Sequence, residues 1–186
     1  LLFANGGMGA RPTMDGLSCT VFPSNATPSS TEIMECQAPL VVWKKEIRQD
    51  SGGAGKFQGG HGQEIIIEVV SKEPVSLAVV SERLDFPPQG ALGGAPGAPN
   101  HLEKLRGEGS LPRKGRTLLL PGDIIKLSFA GGGGFGPPHE RAKEKVIADL
   151  RNELISASTA ETTYGVSTNL QDNITPKSSS LNRDAK

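Results

Sequence analysis

Four charged residues at predicted loop and strand ends, Asp50, Glu82, Arg83 and Asp85, stand where functional groups commonly sit. Asp50 and Arg83 are the candidate catalytic residues. The alternative for all four is structural, with the charges bonding glycine-rich backbone or one another. His61, His101 and His139 could ligate a metal only if folding gathered them, since they lie far apart with no acidic partner at i+3 or i+4. No metal site is assigned. Ser51 falls outside any Gly-x-Ser-x-Gly elbow and is not expected to act as a nucleophile. The strand, glycine run and helix read from Leu127 to Val146 could cradle a phosphate on backbone amides. That run lacks the Gly-Lys-Ser/Thr of a phosphate loop, and Pro137 and Pro138 remove amide donors beside it. Tight packing between strand and helix is the better reading.

The elements that must position these residues are punctuated by glycine. Residues 50–62 read Asp-Ser-Gly-Gly-Ala-Gly-Lys-Phe-Gln-Gly-Gly-His-Gly and run into an apolar strand, Ile65 to Val70. A linker rarely precedes such a strand, so Gly52, Gly53, Gly55, Gly59 and Gly60 are expected to shape a loop for backbone or substrate. Strand-like runs are read at Leu17–Phe22, Leu40–Ile47, Glu64–Val70, Val75–Ser81, Thr117–Leu120 and Asp123–Phe129. The short Ser71–Pro74 segment predicts a hairpin between the third and fourth of them. Pro121-Gly122-Asp123 is a turn signal, residues 86–97 an ordered extended loop, and residues 104–116 a solvated basic loop. A helix is expected from Pro137-Pro138, with Ala142, Val146, Leu150 and Leu154 as a stripe for packing on the sheet. Ser158 and Glu161 have the spacing of a capping box for a second helix ending near Tyr164-Gly165. Residues 167–186 are polar and expected to be disordered.

The 186 residues suffice for one domain with a real core. Hydrophobic content is 35% and aromatic content 4%, so the core must lean on Val, Ile and Leu. Glycine (24) and proline (14) exceed their usual combined share, which favours a turn-rich β protein. The fold class is therefore α+β, mainly β: a glycine-rich sheet region, one or two C-terminal helices and a disordered tail. Twenty basic and twenty acidic residues balance, which argues against nucleic acid or an anionic membrane as partner. No stretch has the length of a membrane span. Cys19 and Cys36 read as free thiols in a reducing compartment, so a cytoplasmic location is expected. The chain opens on Leu1-Leu2-Phe3-Ala4 like the middle of a domain and reads as a fragment.

Ordered blocks along the chain carry a resemblance. Gly6-Gly7-Met8-Gly9-Ala10-Arg11 with Asp15-Gly16, then Asp50 to Gly60, resemble successive blocks of the hydantoinase B/oxoprolinase family. Arg83, Pro87-Pro88-x-Gly90 and Gly93-Gly94-x-x-Gly97 are similar to the next block. Pro121-Gly122-Asp123, Gly131 to Gly136 and Tyr164-Gly165-Val166 match the last ones, so the likeness runs over about residues 5–166. Two positions depart from the family pattern. Pro137 stands where an acid usually follows the last glycine run, and Asn152-Glu153-Leu154 where the helix exit usually holds glycine.

The resemblance implies that residues 1–166 are the C-terminal region of a B-type chain. It further implies ATP-dependent opening of a cyclic amide, a lactam or hydantoin, through a phosphorylated intermediate. ATP with Mg would be bound by a separate hydantoinase A-type subunit or domain, in a hetero-oligomer. Metal ligands of some relatives belong to the N-terminal part of the B-type chain, outside this sequence. Two other readings stay open: the matching region of an ATP-dependent ketone carboxylase, and a non-catalytic assembly module.

Overall fold

The computed structural model describes residues 4–20 and 30–167. The chain is α+β and mainly β. Its elements are helix α1 (Thr31–Gln37), strands β1 (Leu40–Ile47), β2 (Gln63–Val69), β3 (Val75–Val80), β4 (His101–Arg106), β5 (Lys114–Leu119) and β6 (Ile124–Ser128), then helices α2 (Lys143–Arg151) and α3 (Ala157–Thr162). Four strands form an antiparallel sheet in the order β1-β2-β6-β4, and β3 pairs with β5 in a second, two-stranded sheet.

Alternation along β2 decides which face is buried. Ile65, Ile67 and Val69 are withdrawn from solvent, while Glu64, Ile66 and Glu68 face the other way. Ile65 pairs with Leu127 and Ile67 with Ile125, so the inner faces of β2 and β6 coincide. Leu111 and Leu119 complete this core, with Val75, Leu77 and Leu102 packed against it, so the β3–β5 pair covers the larger sheet as a second layer. The outer face carries a lattice of charge. Glu64 bonds Lys44 at 2.8 Å and Lys126 at 2.9 Å, and Glu68 accepts from Trp43 Nε1 at 2.7 Å and from Arg106.

Between these layers and the helices lies a different kind of structure. Residues 130–136 form no regular strand and bond outward to three separate segments. Gly131, Gly132 and Gly134 donate to Ala98, Gly60 and Ala95 at 3.1, 2.8 and 2.9 Å. Ala130, Gly132, Gly133 and Gly134 accept from Gly7, Gly53, Ala10 and Ala91. A β-strand has two neighbours in one plane, whereas this chain has partners on several sides. It is the axis of a bundle of backbones.

Several expectations are corrected. The third and fourth strand runs do not form a hairpin: β2 pairs with β1 and β6, and β3 with β5. The short 70–74 segment carries the chain from one layer to the other. The Pro121-Gly122-Asp123 turn crosses back, with Gly122 at φ 84 and Asp123 N–H donating to Leu120 O. Residues 17–20 are turn and irregular chain, and residues 21 and 22 of that strand run lie outside the described residues. The 104–116 segment is not a solvated loop; it contributes to β4 and β5, and Lys104 is buried against Asp123 at 2.9 Å. The stripe of α2 packs on α3 and Ala54 of the glycine run rather than on the sheet, in a second core of Val146, Ile155, Ala160, Tyr164 and Val166. Helix α2 begins only at Lys143, after a 3₁₀ turn over Pro138–Glu140, and the cap of α3 is Ser156, whose hydroxyl accepts from Thr159 N–H. Most of the expected tail, residues 168–186, lies outside the described residues.

Candidate functional site

The 50–62 run is pressed into the backbone bundle along its length. A Cβ on Gly53 would lie 2.3 Å from Ala95 O, and one on Gly59 would lie 2.0 Å from Gly132 O. Gly52, Gly55 and Gly60 would meet backbone atoms at 2.1, 2.7 and 2.1 Å. Real Cβ atoms do not approach carbonyl oxygens so closely, so these glycines are required by space. The surfaces closing on them belong to this chain itself.

Two polar constellations are fixed by this run. Ser51 is fully buried, and its hydroxyl donates to Arg48 O at 2.6 Å and accepts from Gly62 N–H at 2.9 Å. Its Oγ is 3.5 Å from His61 Nδ1, which accepts from Gly52 N–H at 3.3 Å. Burial pushes the His61 pKa below its ordinary 6.5, so the ring is neutral at pH 7. The pair resembles a serine–histidine dyad by composition alone. With the serine proton committed to Arg48 O and no exposed surface on Ser51, it holds backbone together and does not attack a substrate.

The second constellation is an ion cluster. Arg141, nearly inaccessible, bonds Asp15 at 2.7 Å and Asp149 at 2.7 Å, and Lys145 adds a 3.1 Å contact to Asp15. Asp15 also accepts from Gln58 N–H at 2.8 Å. Burial raises the Asp15 pKa, but Arg141, the Gln58 amide and Lys145 more than offset it, leaving it below the usual 3.8. Burial likewise disfavours the Arg141 charge, and the two aspartates outweigh that, raising its pKa. Beside the cluster, the Tyr164 hydroxyl is buried against the Gly55 backbone, and desolvation pushes its pKa up to about 12. The cluster ties residues 15, 58, 141 and 149 across the glycine bundle, a lock with every charge matched.

The candidates read from sequence are dispersed. Asp50, exposed with φ 55, accepts from Ser156 N–H at 2.9 Å and donates its own N–H to Leu154 O, so it anchors the start of the glycine run to the α2–α3 connection. Arg83, exposed with φ 60, contributes its carbonyl to Asn100 N–H. Asp50 and Arg83 make no hydrogen bond or ion pair with each other. Glu82 pairs with Lys114 and Asp85 with Arg113. His101 and His139 are exposed and His61 is buried. No group of three or more His, Cys, Asp or Glu side chains among the described residues is arranged to hold a metal. Cys19 and Cys36 are free thiols. The Asp15–Arg141 pair, 126 positions apart, was not anticipated; only the Asp15-Gly16 block hinted at one half of it.

Fold and geometry together define a class: a two-layer β protein joined to short helices through a core of packed glycine backbone. The hydantoinase B/oxoprolinase family model matches residues 1–138, and the chain belongs to that family. It is 31% identical over 184 residues to the caprolactamase β subunit of Pseudomonas jessenii, spanning 86% of this chain and 29% of that one. It is 33% identical over 135 residues to 5-oxoprolinase 1 of Arabidopsis thaliana, spanning 70% of this chain and 10% of that protein. The crystal structure of the ATP-dependent caprolactamase from Pseudomonas jessenii superposes with a TM-score of 0.72 at 25% identity, covering 91% of this chain and 31% of that chain. No helix among the described residues is long and apolar enough to cross a membrane.

Proposed function

We propose that residues 1–166 form the C-terminal region of a B-type chain in an ATP-dependent cyclic amide hydrolase of the cytoplasm. A lactam carbonyl is a poor electrophile. Phosphorylating its oxygen creates a leaving group that water can displace, provided the intermediate is shielded from bulk solvent. In this reading ATP and Mg are held by a hydantoinase A-type subunit or domain. The present chain contributes a rigid wall, with Gly52, Gly53, Gly55, Gly59 and Gly60 fixing its shape and Asp50 anchoring it to the helices. Arg83, with its exposed side chain and positive φ, is the residue of this segment offered to substrate or partner. The observation that carries the proposal is the sequence likeness to 5-oxoprolinase and to the caprolactamase β subunit over most of this chain.

The test is ATP hydrolysis by the complete B-type chain assembled with its A-type partner. Stimulation by 5-oxoproline, hydantoin or caprolactam, with ring-opened product, is expected. Stimulation by acetone with bicarbonate instead would assign the ketone carboxylase reading. Full activity after deletion of residues 1–166 would leave an assembly module only.

A further inference from the structure

A cleft of about 380 Å³ opens on the outer face of the larger sheet, lined by Lys44, Arg48, Glu64, His101, Lys126 and Ser128 among others. Its floor is Glu64, held between Lys44 and Lys126, with Ser128 Oγ donating to it at 3.3 Å. Arg48 enters from the end of β1, where the chain turns into the glycine run, and its backbone N–H donates to Gly62 O.

Arg48 differs from the other withdrawn cations. Lys44, Lys104, Lys126 and Arg141 each have a carboxylate within ion-pair distance. The Arg48 guanidinium has none among the described residues; its Nη1 donates to Pro99 O at 2.7 Å and Phe129 O at 3.3 Å. Those carbonyls occupy one corner of the fork and fix its plane. Nε and Nη2 are left without a partner among the described residues. Desolvation lowers the Arg48 pKa, and the charge of Glu64, which lies beyond ion-pair distance, offsets this only in part.

We propose that this cleft binds a small monocarboxylate, gripped in bidentate fashion by the Nε–Nη2 edge of Arg48. Two parallel N–H groups match the two oxygens of a planar carboxylate, and the pairing is stronger than a bond to neutral oxygen. The single charge follows from the lining. Three permanent cations, Lys44, Arg48 and Lys126, face Glu46 and Glu64, so one further negative charge neutralises the cleft and the second charge of a dianion would find no cation left to match it.

Saturation-transfer NMR on the full chain tests this with propionate, propionamide and methyl phosphate at constant ionic strength. Propionate is expected to bind saturably, with a Kd about tenfold or more below that of the other two probes. Arg48→Lys, which keeps the charge and loses the fork, is expected to weaken propionate about tenfold. Arg48→Gln should abolish binding, but it also removes a staple to Pro99 and Phe129. Glu64→Gln therefore supplies an independent arm: with Arg48 intact and a competing negative charge gone, propionate should bind several-fold more tightly. Equal binding of propionate and propionamide, tighter binding of methyl phosphate, or unchanged affinity in Arg48→Lys would each overturn the proposal.

Discussion

The sheet core and the glycine bundle solve the same packing problem with opposite materials. In the sheet, Ile65, Ile67, Ile125 and Leu127 fill space with side chains that can adjust their rotamers. In the bundle, carbonyl oxygens of Gly59, Gly132 and Ala95 sit where side chains would otherwise begin, and the nearest atoms are backbone. A side-chain core gives way by degrees, whereas a backbone core has almost nothing that can move. Removing a methyl group from Ile67 by Ile67→Val is expected to cost about 1 kcal/mol. Adding one to Gly59 by Gly59→Ala is expected to cost more, about 3 kcal/mol or loss of folding, since the new Cβ would stand 2.0 Å from Gly132 O. Gly9→Ala is the internal control: its Cβ would be 3.8 Å from the nearest backbone oxygen, so its effect should stay within about 1 kcal/mol. Urea unfolding midpoints of the three variants decide the matter. A Gly59→Ala midpoint at or above that of Ile67→Val would break the contrast between the regions.

The same contrast extends to acid. In the bundle the acid-sensitive carboxylate is Asp15, held below its ordinary pKa by Arg141, the Gln58 amide and Lys145, whereas on the outer face of the sheet it is Glu64. Burial raises the Glu64 pKa, but Lys44 and Lys126 overcome this and hold it at about 2, against an ordinary 4.5. Its stabilising contribution is therefore complete above pH 4.5 and disappears as pH falls from 4.5 through 2. His61 acts in the same direction at higher pH, because its neutral form is favoured in the fold and the unfolded chain takes up its proton first below 6.5. Glu64→Gln is expected to lower stability on the order of 2 kcal/mol at pH 7 and to change it little near pH 2. Chemical denaturation across that range is the measurement. Parallel wild-type and Glu64→Gln curves below pH 4.5 would mean that the ion triad contributes no pH-dependent stability.

What could be read from the sequence follows from which residues carry a pattern. Five of the six strand-like runs correspond to strands, because Val, Ile and Leu alternate or cluster in them. Strand β4 went unread because one inward position is Lys104, whose partner Asp123 belongs to a turn 19 residues away. Helix α1 was missed because it is seven residues long and buries only Met34. Strand pairing was misread at residues 71–74, since a four-residue link that crosses between layers has the same local composition as a hairpin turn. In the site, the glycine run announced a shaped backbone, but glycine carries no side-chain pattern to say what lies against it. That its neighbours are other glycine runs, at residues 90–97 and 131–134, emerges only in three dimensions.

The exit of α2 offers the finest test, since side-chain packing and backbone geometry meet there. Leu154 N–H donates to Asp149 O and Glu153 N–H to Leu150 O, the bonding pattern of a Schellman cap. Such a cap places its first residue beyond the helix in the left-handed region, and Glu153 stands there at φ 57. The resemblance leads to the expectation of glycine in this helix exit, residues 152–154, and the departure puts a non-glycine residue in a strained position on an intact cap. Glu153→Gly removes the clash of Cβ with backbone while leaving both hydrogen bonds and the Gln49 contact to the 153 carbonyl in place. Part of the gain is offset by greater freedom of glycine in the unfolded chain, so a net rise of about 1 kcal/mol is expected. For a chain of this size that is about 2–4 °C in Tm. Glu153→Ala, which keeps the Cβ, should show none of it. An equal rise in both variants would assign the effect to removal of the charge and would remove the case for glycine at this cap.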